Sequence, residues 1–184
     1  MTEGERMRVG FDANAMVGDL DGVGWHSYHL LRTMLAQPER IDMVAYAKPG
    51  AEQPDFVRAW PGVERLEWMN SSRLGMQKRG SSDRLDLYHG ANFRMQTVGR
   101  YGGLVTIHDL WLDRHPEYSK KMLGQMPSSF KTRQTALRAR KVITVSEFSA
   151  RELVELHGVK REHIVVIPNG VSEDFVPRRD AQAM

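Results

Sequence analysis

Polar side chains capable of chemistry recur in this sequence directly after short apolar runs. His108 and Asp109 follow Val105, Thr106 and Ile107 without a gap. The imidazole can donate, accept or carry charge near neutral pH, whereas the carboxylate can equally do no more than cap the next turn. Trp111 lies three residues beyond His108, which singles it out; Trp25, Trp60 and Trp68 read as packing groups. His89 and Asn92 follow the run Leu85–His89 in the same manner, and Asp12 and Asn14 end or follow Met7–Ala13. Ser146 and Glu147 open a helical pattern. Ser146 suits an N-cap, and amides left free at such a terminus favour a negative ligand. Asn169-Gly170 follows Ile164–Ile167 and would make a tight turn in any protein.

The segment Gly18-Asp19-Leu20-Asp21-Gly22-Val23-Gly24 joins the first apolar run to a helical pattern. Glycines allow close backbone approach, and N–H groups ahead of a helix can cradle a phosphate. The spacing lacks the third glycine of the dinucleotide fingerprint, and a plain flexible turn accounts for it as well. The remaining histidines, His26, His29, His115, His157 and His163, show no metal-ligand spacing. No metal is expected.

These residues need a scaffold that gathers strand ends. Met7–Ala13, Ile41–Ala47, Val63–Met69, Leu85–His89, Leu104–His108, Val142–Val145 and Ile164–Ile167 read as strands. Trp25–Ala36 places Tyr28, Leu31 and Leu35 at helical spacing and closes before Pro38. A helix from Ser146 buries Leu153 and Leu156 and stops at Gly158. A short helix is expected near Asp55–Trp60. Asn70–Asp83 reads as a loop able to hold a short helix, and Ser119–Arg140 as a helix divided by Gly124 and Pro127. The alternation predicts an α/β domain with a mostly parallel sheet and helices on both faces. Ligands collect at the carboxyl ends of such strands, where the polar residues above fall.

Length and composition exclude several classes. At 184 residues the chain suits one core and is too short for two full-sized domains. No run approaches the roughly 18 apolar residues that span a bilayer, and the polar start lacks the apolar core of a secretory signal. The lack of cysteine rules out disulfides and thiolate metal sites and fits a cytoplasmic setting. Lys120–Lys141 holds seven basic residues and no acidic one. That run reads as a solvated helix face or as a contact for an anionic membrane surface or phosphorylated acceptor. No nucleic-acid-reading motif accompanies it, so no nucleic acid partner is expected.

Four stretches, VGFDANAMVGDLDGVGWHSYHLLRTML, DLYHGANF, GGLVTIHDLWLDRHPEYS and RKVITVSEFSARELVELHGVKREHIVVIPNGVSEDFVP, together resemble the amino-terminal domain of family-4 retaining glycosyltransferases (glycosyl transferases group 1) of GT-B architecture. The resemblance implies one Rossmann-like domain over residues 1–177, with 178–184 as a tail or linker, facing a donor-binding domain across a cleft. It implies a nucleotide-sugar and an acceptor as substrates, with no cofactor. Gly22, Val23 and Gly24 would then approach the donor diphosphate, and His108 would lie beside the transferred sugar. Asn14, His89, Asn92, Asp109, Trp111, Ser146 and Glu147 would border the acceptor side, and Asn169 and Gly170 would lead to the second domain. Trp25 departs from the small or basic residue common there in relatives, and the donor-binding half has no counterpart in this sequence.

The chain is accordingly expected to be the acceptor-side half of a cytoplasmic hexosyltransferase, without transferase activity alone. Peripheral contact with the inner membrane face through 120–141 is a further expectation. The alternatives are a non-catalytic glycan- or glycolipid-binding module, and a self-associating domain that forms a homodimer.

Overall fold

A computed structural model describes residues 6–37, 41–118 and 127–171. Seven strands form one sheet: β1 (Met7–Asp12), β2 (Ile41–Ala47), β3 (Leu66–Asn70), β4 (Leu87–Gly90), β5 (Gly103–Thr106), β6 (Lys141–Thr144) and β7 (Ile164–Val166). Their order is β3-β2-β1-β4-β5-β6-β7, and every pair is parallel. The α/β domain expected from the alternation is therefore what forms. Strand order reverses at β1, which lies between β2 and β4. In open α/β sheets the crevice beyond the carboxyl ends at such a switch is where ligands bind.

Alternation along β1 sends its side chains into two cores. Val9 and Phe11 join Leu31 and Leu35 of α1 (Gly22–Ala36). Gly10 faces the other side, against Tyr46, Leu85 and Tyr88, where α2 (Arg73–Ser82) contributes Met76. Helices thus cover both faces of this half. Phe11, Leu31 and Leu35 are fully buried, each stabilising the fold by roughly 1.5–3 kcal/mol relative to exposure. A third core joins Val105, Val142 and Ile164 to Ala136 of α4 (Ser128–Arg138) and to Ala150 and Leu153 of α5 (Glu147–His157).

Several boundaries differ from the sequence reading. The first helix begins at Gly22 rather than Trp25, because Asp21 caps it. Asn70–Asp83 holds a ten-residue helix, α2, whose Ser72 cap accepts from the Gly75 amide at 3.1 Å. The fifth strand ends at Thr106, so His108 stands two residues beyond it. Val63–Arg65 is a 3-10 turn ahead of β3, and a fifth helix, α3 (Trp111–Arg114), follows His108. The expected helix start at Ser119, its break at Gly124 and the tail from residue 178 lie outside the described residues.

Candidate functional site

The site at the sheet switch begins with Asp12, the last residue of β1. Its Oδ1 accepts from the Asn14 amide at 3.0 Å and from Asn14 Nδ2 at 2.7 Å. Burial raises the Asp12 pKa, and the two Asn14 bonds oppose that rise. Asn14 thus spends its side chain on Asp12 while remaining exposed.

The Gly22–Gly24 segment is the first turn of α1 rather than a loop ahead of it. Asp21 Oδ1 accepts from the Gly24 amide at 2.8 Å, so a carboxylate already occupies one of the donors. A Cβ at Gly24 would lie 2.7 Å from the Ala15 carbonyl; the missing side chain lets α1 pack against that turn. Gly22 is open on its side-chain face, and no bond to the Gly22 or Val23 amide is found among the described residues.

At the carboxyl ends of β4 and β5 the structure brings together three imidazoles, His89 within β4, His108 beyond β5 and His26 from α1. His89 is buried, its Nε2 is 2.8 Å from Thr106 Oγ1, and its ring meets Phe11 edge to face. Burial, followed by repulsion from His26 and His108, depresses its pKa to about 4. His108 lies half-buried with Nε2 3.1 Å from the Ala91 carbonyl. A carbonyl only accepts, so this bond puts a proton on Nε2. In a neutral ring Nδ1 then carries the lone pair. His26 of α1 meets His108 edge to face at 4.8 Å. Burial, then repulsion from His108, lowers the His26 pKa, and Asn169 works in the opposite direction.

Ser146 caps α5, its Oγ accepting from the Ser149 amide at 3.1 Å. Ser149 Oγ donates to the His108 carbonyl at 3.2 Å, so the start of α5 holds the backbone from which the His108 ring projects. Glu147 turns away and pairs with Arg161 at 3.1 Å. Asn169 and Gly170 are exposed beyond β7.

A cavity of about 270 Å³ opens on the Phe93 side, lined by Asn92, Phe93, Arg94, Asp109, Leu110, Leu112, Asp113, Ser128 and Thr132. The Phe93 ring lies 5.9 Å from His108. A Cβ at Gly90 would collide with the Arg94 backbone, so the turn carrying Asn92 needs glycine there. Arg94 donates to the Phe93 carbonyl and to Thr132 Oγ1, each at 3.0 Å. Asp109 Oδ1 accepts from the Trp111 amide at 3.0 Å, the capping role its position allowed. Trp111 is exposed and leans on His115 and Tyr118, at 5.1 Å from each. Below it, Asp113 pairs with buried His157 at 2.7 Å, and Arg114 with Glu152 at 2.7 Å.

Of the expected residues, His108 and Ser146 are linked through Ser149, while His89 acts on this group through electrostatic repulsion and Asn169 through its influence on His26. Asn92 and Asp109 share the cavity. Asn14, Glu147 and Trp111 take separate partners. His26 joins this group without a signal in the sequence: it has no metal-ligand spacing and lies inside a helix rather than after an apolar run. Arg94 and Thr132 join the cavity without any spacing signal. Among the described residues no three of His, Cys, Asp or Glu converge as metal ligands, and no helix is long and apolar enough to cross a membrane.

Comparison with known proteins fits this arrangement. The O-antigen chain mannosyltransferase B of Escherichia coli is 30% identical over 132 residues, covering 70% of this chain and 33% of that protein. The solved sucrose-phosphate synthase of Thermosynechococcus elongatus superposes with a TM-score of 0.67 at 13% identity, over 97% of this chain and 52% of that one. The latter likeness speaks to the fold. This chain therefore spans a third of the first relative and about half of the second. The Glycosyltransferase Family 4 model matches residues 20–175, and the chain belongs to that family.

Proposed function

We propose that the domain forms the acceptor-side wall of a retaining glycosyltransferase cleft, where a hexose passes from a nucleotide-sugar to an acceptor hydroxyl. The observation that supports this most is the setting of His108. It stands beyond the sheet's carboxyl edge, with Nε2 committed to Ala91 and with Phe93 linking its ring to the cavity. Nδ1 is then free to accept from a sugar hydroxyl. Departure of a nucleoside diphosphate builds negative charge, and fixed N–H donors stabilise it without reorganising. The Gly22 and Val23 amides are suited to that part, whereas the Gly24 amide is engaged by Asp21. Asn169 and Gly170 would carry the chain toward a donor-binding domain whose closure excludes water. No protein nucleophile is assigned, and no metal or other cofactor is invoked.

Mannose is the first sugar to test, given the named activity of the E. coli relative. The 184-residue chain should show no turnover alone and should gain it when combined with a donor-binding half. Turnover by the chain alone would refute the acceptor-side reading. A second reading is a glycan- or glycolipid-binding module that uses the cavity beside Phe93. Saturable binding of a glycan by the chain alone, with no activity in any combination, would select it.

We place the protein in the cytoplasm and include peripheral membrane contact in the reading. On α4, Phe130 and Leu137 are exposed beside exposed Arg133 and Arg138. Residues 120–126 of the basic run lie outside the described residues. Co-sedimentation with anionic but not neutral vesicles tests this contact, and light scattering tests the homodimer.

A further inference from the structure

We propose that His26 is a positioning residue for His108, tying its ring both to the opening turns of α1 and to the segment leaving β7. The inference rests on the reading of His108 as a cleft residue. Its first support is geometric: the rings meet edge to face at 4.8 Å with an 87° interplanar angle, so His26 forms one wall of the His108 site. The other neighbours are the Phe93 ring at 5.9 Å and the Ala91 carbonyl at 3.1 Å from Nε2.

A second support is chemical. His26 Nε2 is buried and makes no hydrogen bond of acceptable geometry. A buried polar nitrogen without a partner costs stability, and a hydrocarbon side chain would avoid that cost. Exceptions of this kind call for a function. His29, one turn later on α1, is exposed and stacked on Trp25 and has no comparable setting.

The third support is connectivity. The Asn169 side chain approaches His26 closely enough to favour its charged form. One imidazole therefore adjoins α1, the end of β5 and the exit from β7. The titratable groups that act on His26 are His108 and, through its own response, His89. Charging any one of these rings opposes charging the others.

Ring-resolved NMR of the 184-residue chain tests the proposal. In His26→Ala the His108 Nε2 proton, held by the Ala91 carbonyl, should exchange at least tenfold faster. His26→Phe keeps the aromatic wall and should restore slow exchange. Unchanged exchange in a folded His26→Ala protein overturns the positioning role, as does failure of Phe to rescue. Asn169→Ala, at an exposed position, decides the link to the exit segment: the His26 titration midpoint should fall, and an unmoved midpoint removes that link. His108→Asn should raise the same midpoint, and no rise would remove the coupling between the rings. These readouts follow ring position rather than turnover, so they stand or fall separately from the sugar-transfer reading.

Discussion

His108 and Trp111 stand three residues apart and meet opposite surroundings. His108 is half-buried among His26, Phe93 and the Ala91 carbonyl, and its backbone is held by Ser149. Trp111 is 51% exposed and its ring neighbours among the described residues, His115 and Tyr118, are exposed too, while Asp113 and Arg114 beneath it fasten the short α3 to α5. The first region fixes a titratable ring by packing many neutral groups around it. The second leaves its aromatic free and fixes the backbone through ion pairs. Nearness in sequence thus says little about shared chemistry when a turn capped by Asp109 separates the two.

The comparison breaks most sharply at Asp113. Its carboxylate and the His157 ring are both nearly excluded from solvent, at 6% and 4% exposure. Removing one member leaves the other's buried hydrogen-bonding group without a partner, at a cost of about 3 kcal/mol. Asp113→Ala should therefore lower stability by that order in urea unfolding, and Asp113→Asn, which can still accept a bond, should lose less. The His108 ring environment should persist in both folded variants. A His108 resonance that moves with Asp113→Asn would show that the two regions are one unit.

Acid should act on the other region. His89 titrates at about 4 in the folded protein, below the ordinary histidine value of 6.5. Between those values the unfolded chain binds a proton that the folded chain refuses. Stability therefore falls as pH falls from about 6.5 toward about 4. One group with this shift accounts for about 3 kcal/mol across the whole window. His89→Gln should flatten that part of the stability profile in urea midpoints taken between pH 7 and pH 4.5. An unchanged slope would mean that His89 is not the group that resists charging.

A smaller effect belongs to the joint between α5 and His108. Ser146→Ala removes the N-cap and should cost about 1 kcal/mol, readable in the same urea experiment. Because Ser149 is bonded to both Ser146 and the His108 carbonyl, the His108 resonances should shift as well. Loss of stability with no shift at His108 would reduce Ser146 to a cap alone.

The strands were legible because buried parallel strands are written as short β-branched and apolar runs, as in Val142–Thr144 and Ile164–Val166. The helix α2 was legible only as a loop able to hold a short helix: Met76 is its one buried apolar side chain among the described residues, so no periodic stripe marked it. The strand-end principle found His89 and His108, because topology alone delivers residues to that edge. It could not find His26, which arrives from a helix. Nor could it find the Arg94–Thr132 bond, which joins side chains 38 positions apart through packing that no local pattern encodes.

The smallest expected effect concerns Trp111. A surface side chain away from caps and buried pairs usually changes stability by less than about 0.5 kcal/mol when replaced. Trp111→Ala should therefore leave the urea midpoint almost unmoved, since the ring contacts only His115 and Tyr118 among aromatic neighbours. If the exposed indole contributes a face to a bound glycan, saturation-transfer NMR should show glycan binding weakened in a variant that is otherwise as stable as the parent. That outcome would give the exposed region a binding role while His108 keeps the chemical one. Unaltered glycan binding would instead leave Trp111 outside the site, despite its three-residue distance from His108.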